Sequence, residues 1–84
     1  MKEIDYQTRG TCSRRIQILL NDDNTIARVQ FQGGCSGNTQ GVASLVIGMP
    51  ASEAIKRLKG IRCGAKSTSC PDQLALALEQ AEEE

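Results

Sequence analysis

Apolar positions in this 84-residue chain first alternate, then recur at every third or fourth residue. Residues 3–8, EIDYQT, alternate weakly, with Ile4, Tyr6 and Thr8 on one side. Residues 14–20, RRIQILL, set Ile16, Ile18 and Leu20 on one face, and residues 26–32, IARVQFQ, do the same with Ala27, Val29 and Phe31. Between these two runs lies NDDNT, 21–25, rich in turn-forming Asn and Asp. A period of two on both sides of such a segment predicts a hairpin, the centre of a three-stranded antiparallel sheet with one buried face. Strict alternation leaves Leu19 and Ile26 on the opposite face, so a helix or a partner is expected to touch that side too.

The period changes at GGCSGNTQG, 33–41, where Gly33, Gly34 and Gly37 interrupt the strand pattern. Asn38 or Thr39 can cap a helix. Val42, Leu45 and Val46 then recur at helical spacing, and Gly48 with Pro50 stops the run. A second helix is predicted over about 51–59, with Ala51, Ala54, Ile55 and Leu58 inward and Gly60 ending it. Residues 61–69, IRCGAKSTS, read as a loop. A third helix is predicted from about Pro71, with Leu74, Ala77, Leu78 and Ala81 on its inner face. Strands first and helices afterwards predict a two-layer α+β fold, a three-stranded antiparallel sheet with three helices packed on one face. Nothing marks a second domain, so 1–84 is read as one unit. Glu82, Glu83 and Glu84 place negative charge where the helix dipole disfavours it, and are expected to form a solvated tail.

Size and composition sharpen this picture. A fold of this length buries only about 60–65% of the surface its unfolded chain exposes, so small folds often lean on a metal, a disulfide or a partner subunit. Tyr6 and Phe31 are the only aromatic residues, which leaves the core to Ile, Leu, Val and Ala. Ten acidic residues cancel ten basic ones, so no global charge bias draws the chain to nucleic acid or an anionic membrane. The start, MKEIDYQTRG, lacks the apolar run of a signal peptide, and no segment approaches the roughly 20 apolar residues of a membrane span. A cytoplasmic location is the expectation. Histidine is absent, which removes the usual general base and the commonest nitrogen ligand for zinc. There is no Walker-type phosphate loop, no Rossmann glycine fingerprint and no recognisable pair of carboxylates. Arg9, Arg14 and Arg15 form a local basic cluster that reads as a solvated edge or an anion site.

The remaining chemistry is sulfur. Each of the four cysteines falls at a break between predicted elements: Cys12 in RGTCSRR, Cys35 in QGGCSGN, Cys63 in IRCGAK and Cys70 in TSCPD. Buried structural cysteines behave as small hydrophobes and tend to occupy apolar stripes, where none of these falls. Cys35 and Cys70 open helices, and there the free N–H groups and the positive dipole end stabilise a thiolate. Pro71 suits the first helical position, which puts Cys70 at the cap, with Asp72 opposing its ionisation. Gly34 and Gly37 let several backbone N–H groups converge near Cys35, a nest for a thiolate, a cluster sulfide or a phosphate. Ser36, Asn38, Lys66 and Ser69 are the side chains that would complete an anion or cofactor site. On the plainer reading the glycines only turn the chain, Ser36, Asn38, Ser67, Thr68 and Ser69 are caps, and Lys66 is a surface lysine. The gaps of 22, 27 and 6 residues contain no CxxC knuckle, so spacing alone is a weak metal signature. A metal or cluster site, redox thiols and unrelated roles all stand at this point.

The string TSCPDQLA, 68–75, with GTCS at 10–13, GGCSGN at 33–38 and RCG at 62–64, resembles the TSCPD-domain family over nearly the whole chain. That family includes stand-alone proteins of this size and a domain near the C-terminus of vitamin B12-dependent ribonucleotide reductases. The resemblance implies a shared fold and a metal- or cofactor-related site at the cysteines. It does not imply ribonucleotide reduction, because a reductase barrel with its radical and cobalamin sites cannot fit in 84 residues. The order of elements is also similar to that of iron–sulfur scaffold proteins of the IscU/NifU type, an analogy of topology that Cys35 and Cys63 match best.

These observations lead to one expectation. Cys12, Cys35, Cys63 and Cys70 gather at one end of the sheet and hold zinc or an iron–sulfur cluster, in a binding module accessory to ribonucleotide reduction and with no catalysis of its own. Two alternatives are a Cys63–Cys70 dithiol/disulfide unit serving a reductase partner in trans, and a nucleotide- or anion-binding module. A homodimer is expected through the sheet face carrying Leu19 and Ile26.

Overall fold

The computed structural model describes residues 1–8, 13–33, 36–62 and 68–83, and of residues 13, 36–38, 82 and 83 the backbone alone. Three strands come first: β1 (Lys2–Gln7), β2 (Ser13–Leu20) and β3 (Ile26–Gly33). Three helices follow: α1 (Ser36–Leu45), α2 (Ala51–Leu58) and α3 (Cys70–Glu83). The strands form one antiparallel sheet in the order β1-β2-β3. Its buried side chains, Ile16, Ile18, Leu20, Ile26 and Val29, share one face and meet Val46, Ala51, Ala54, Leu74, Ala77 and Leu78 from the helical layer. Arg15, Arg28, Gln30, Gln32, Glu3 and Asp5 stay exposed, and Asp5 pairs with Arg15 at 3.0 Å. The sequence expectation of an α+β fold with one covered sheet face is met.

The hairpin turn follows from its Asn and Asp residues. The Asn24 N–H donates to the Asn21 carbonyl at 2.9 Å, and Asn24 adopts a left-handed φ of 66°, a conformation Asn tolerates better than most residues. The Asp23 carboxylate accepts both the N–H and the hydroxyl of Thr25, at 3.1 and 2.6 Å. These bonds favour the charged form and hold its pKa below the ordinary value.

One expectation fails in this hairpin. Leu19 faces Arg28 while Leu20 faces Ile26, so Ala27 is an extra residue in β3. A bulge of this kind resets the alternation. Ile26 therefore turns to the core face, where it is 0% exposed, and only Leu19 of the expected pair stays on the outer face. The outer face thus loses half of the apolar surface on which the homodimer expectation rested.

The start of β3 is also closed off at its edge. Ile26 donates to the Met49 carbonyl at 2.9 Å and accepts from Gly48 at 2.7 Å, while Ala51 donates to the Asn24 carbonyl at 2.9 Å. The connection between α1 and α2 is thereby stitched to the hairpin. Gly48 takes a φ of +82° there, the left-handed conformation that ends α1 and that glycine adopts at little cost. The apolar stripe of α1 is narrower than expected. Val46 is buried and Val42 half-buried, but Leu45, about 100° round the helix from Val46, is 79% exposed. The helix also starts at Ser36, which places Asn38 and Thr39 inside its first turn and not at its cap. α3 carries Leu74, Ala75, Ala77 and Leu78 fully buried. Its direction is set by Lys2, whose Nζ donates to the Ala81 carbonyl at 3.0 Å. The C-terminal half of α3 therefore lies beside β1, with Ala77 and Ala81 near Ile4 and Tyr6. No helix among the described residues is long and apolar enough to cross a membrane.

Candidate functional site

The site is built around the start of α3. Ser69 is its cap: the Ser69 hydroxyl accepts the Asp72 N–H at 3.1 Å, and the Ser69 carbonyl accepts the Gln73 N–H at 2.9 Å. Cys70 is then the first helical residue and Pro71 the second. This corrects the sequence expectation that Cys70 is the cap. A serine was available one position earlier, and its oxygen is the better acceptor for an orphan N–H. The Ser69 hydroxyl proton is given to the Ile61 carbonyl at 2.6 Å. Ser69 is thus a structural cap whose one donor is committed within the chain.

Asp72 completes a clasp between α2 and α3. One carboxylate oxygen accepts the Gly60 N–H at 2.7 Å, and the other accepts the Thr68 hydroxyl. The Gln73 amide in turn donates to the Thr68 oxygen at 2.9 Å. Gly60 presents its N–H from a left-handed φ of +89° just past α2. Asp72 is only 8% exposed, and a carboxylate at that depth needs such donors. At the third position of a helix it also meets the positive dipole end. A second tie, Lys59 Nζ to Glu79 at 2.8 Å, runs between the same two helices on the surface. The Glu79 bond and charge hold the Lys59 pKa above its ordinary value. No described buried side-chain nitrogen or oxygen lacks a partner. In the TSCPD string, then, Thr68, Ser69 and Asp72 hold the chain in place, and Pro71 costs no hydrogen bond in the first turn.

Cys70 sits among these groups and is itself buried, at 6% exposure. Cys12, Gly34, Cys35, Cys63 and Lys66 lie outside the described residues, and Ser36, Gly37 and Asn38 are described only as the first turn of α1. The described residues that border the other three cysteines are informative. Ser13, next to Cys12, is paired across the sheet with Gly33, two positions before Cys35. Ile61, two positions before Cys63, is bonded to Ser69, next to Cys70. The borders of the four cysteine segments are thus joined in two pairs, residue 13 with 33 and residue 61 with 69. Among the described residues no three Cys, Asp or Glu side chains form a metal-binding group. Asp72 already accepts from Gly60 and Thr68. A ligand set drawn from the cysteines would be made of thiolates, a donor chemistry that suits zinc or iron–sulfur.

The sequence names Ser69 as an anion ligand or a simple cap, Thr68 as a cap and Asp72 as a complement to the dipole, but not the bonds that join Thr68, Asp72 and Gln73. One signal was present: S-x-x-D before an apolar run is a helix-start pattern, and it places the cap at Ser69. No curated protein and no solved structure matches the chain significantly. A profile of the TSCPD domain matches residues 2–82, and the chain belongs to the TSCPD-domain family.

Proposed function

We propose that this domain is a thiolate metal-binding module, holding zinc or an iron–sulfur cluster through Cys70 with Cys12, Cys35 and Cys63. The observation that supports the reading is the pairing of their borders: Ser13 faces Gly33, and Ile61 is bonded to Ser69 at the mouth of α3. Segments whose borders are already held together in pairs need less further chain entropy to bring their thiols to one ion. A metal would also add stability to a core this small. The clasp of Thr68, Ser69, Asp72 and Gln73 supports the reading in another way. It fixes the one described ligand on a rigid helix start, as a preorganised site requires. Single Cys→Ser variants of all four, purified without oxygen, test it. Each is expected to retain much less metal than the parent, whereas full retention by Cys12→Ser or Cys35→Ser would reduce the site to fewer ligands. Service to a ribonucleotide reductase is the partner class this reading favours, tested by co-purification with such an enzyme.

A second reading draws on the Ile61–Ser69 bond alone, because it closes the chain segment that contains Cys63 and precedes Cys70. A dithiol/disulfide pair there would exchange two electrons with an external thiol couple. Cys63→Ser would then abolish a reversible redox midpoint, and an unchanged midpoint would remove this reading.

A further inference from the structure

The two edges of the sheet are treated differently. The β3 edge is stitched to the Gly48–Ala51 segment by backbone bonds at Ile26 and Asn24. Among the described residues no such segment runs along β1. The hydrogen-bond phase of β1 is fixed by the Thr8 N–H, which donates to the Arg14 carbonyl at 3.2 Å in register with the rest of the ladder. Alternation along an antiparallel pair then turns the backbone groups of Lys2, Ile4 and Tyr6 toward β2, and those of Glu3, Asp5 and Gln7 outward at the edge. Exposed edge groups of this kind are a template for another strand.

The edge is more than bare backbone. A groove of about 160 Å³ runs between it and the C-terminal half of α3, lined by Ile4, Tyr6, Ala77 and Ala81 with Glu3, Asp5 and Gln80 on its rim. The alanines of α3 leave the width, and the half-buried Ile4 and Tyr6 supply apolar walls. On the outer face, Glu3 and Asp5, the latter also paired with Arg15 at 3.0 Å, stand two residues apart, directly beside the position an added strand would take. Self-pairing of β1 about a two-fold axis with the outward groups bonded sets Asp5 against Asp5 of the second copy, or Glu3 against Asp5. Like charges facing each other across a ladder oppose that arrangement.

From this geometry we infer that the β1 edge accepts an extended segment of a partner protein as a fourth strand, one that alternates basic residues opposite Glu3 and Asp5 with small apolar residues facing Ile4, Tyr6 and the α3 alanines. Backbone bonds supply the attachment, and the charges and groove supply the selection, as in other cases of strand addition beside a helix. This inference does not depend on the metal reading.

The test is fluorescence anisotropy with a labelled peptide, TKVRVKT, against its acidic counterpart TEVEVET, with amide shifts of Glu3, Asp5 and Gln7 followed by NMR. The basic peptide is expected to bind at least about tenfold more tightly and to weaken as salt rises. N-methylation at one alternate set of its residues should abolish binding, and methylation of the other set should leave it intact, because only one set donates to the edge. The double variant Glu3→Lys, Asp5→Lys, its fold checked by circular dichroism, should prefer the acidic peptide. Equal binding of both peptides, indifference to both methylated forms, or shifts at the β1 amides that follow protein concentration alone and so report a second copy would each overturn the inference.

Discussion

At the start of α3 a few side chains decide how the chain is held. The Ser69 hydroxyl caps the helix and ties it to Ile61, and the Asp72 carboxylate gathers Gly60 and Thr68. Ser69→Ala removes the cap and leaves the Ile61 carbonyl without its donor, which should lower unfolding free energy by about 1–2 kcal/mol in urea titrations. Asp72→Ala strands two donors at a nearly buried position and removes an anion from the dipole end, and about 2–3 kcal/mol is expected. If Asp72→Ala proves milder than Ser69→Ala, the clasp is not the main tie. Asp23 differs from a buried clasp, since it is exposed and acts mainly through Thr25. Its folded pKa is depressed, so its contribution is present above the unfolded value and is lost as pH falls through the folded one. An NMR titration should show its carboxyl titrating below the ordinary value of about 3.9, and Thr25→Val should move it back toward that value. The sequence made the helix start at α3 readable, and its S-x-x-D spacing singles out Ser69 as the cap. It did not show the bond to the Ile61 carbonyl, a partner eight residues away.

Elements were readable where one period ran unbroken, and misread where geometry interrupted it. The strands, the stops at Gly48 and Gly60 and the inner face of α3 follow from local pattern. The bulge at Ala27 does not, because it arises from the pairing of β3 with β2 and from the stitching of Ile26 to Met49 and Gly48. A direct comparison tests it. Ile26→Ala should cost about 2–5 kcal/mol, in the range for fully buried isoleucines, and Leu19→Ala well under that. Reversal of this order would mean that strict alternation holds after all. α1 offers a test with the opposite sign. Gly41 lies inside the helix, exposed, with nothing within 4 Å of where a Cβ would stand. Gly41→Ala should therefore raise stability by about 0.5–1 kcal/mol. A loss of stability would place a neighbour against that position.

For the whole molecule, the topology matters because it brings distant segments to one place. Residues 13 and 33 are neighbours only because two strands pair, and residues 61 and 69 only because a serine bonds a carbonyl. From the sequence, the breaks that carry the cysteines could be located, but gaps of 22 and 27 residues say nothing about which breaks share an end. The same topology sets the β1 edge and the α3 groove beside the C-terminal half of α3, which Lys2 ties to β1. The most direct measurement is the metal content of protein purified without oxygen, combined with its visible spectrum and a thiol titration before and after denaturation. Near one equivalent of zinc, or iron with sulfide and absorbance at about 400 nm, is the predicted result, with thiols that react only once the protein is unfolded or stripped. Less than ~0.1 equivalent of any metal, with four thiols titrating in the native protein, would contradict it.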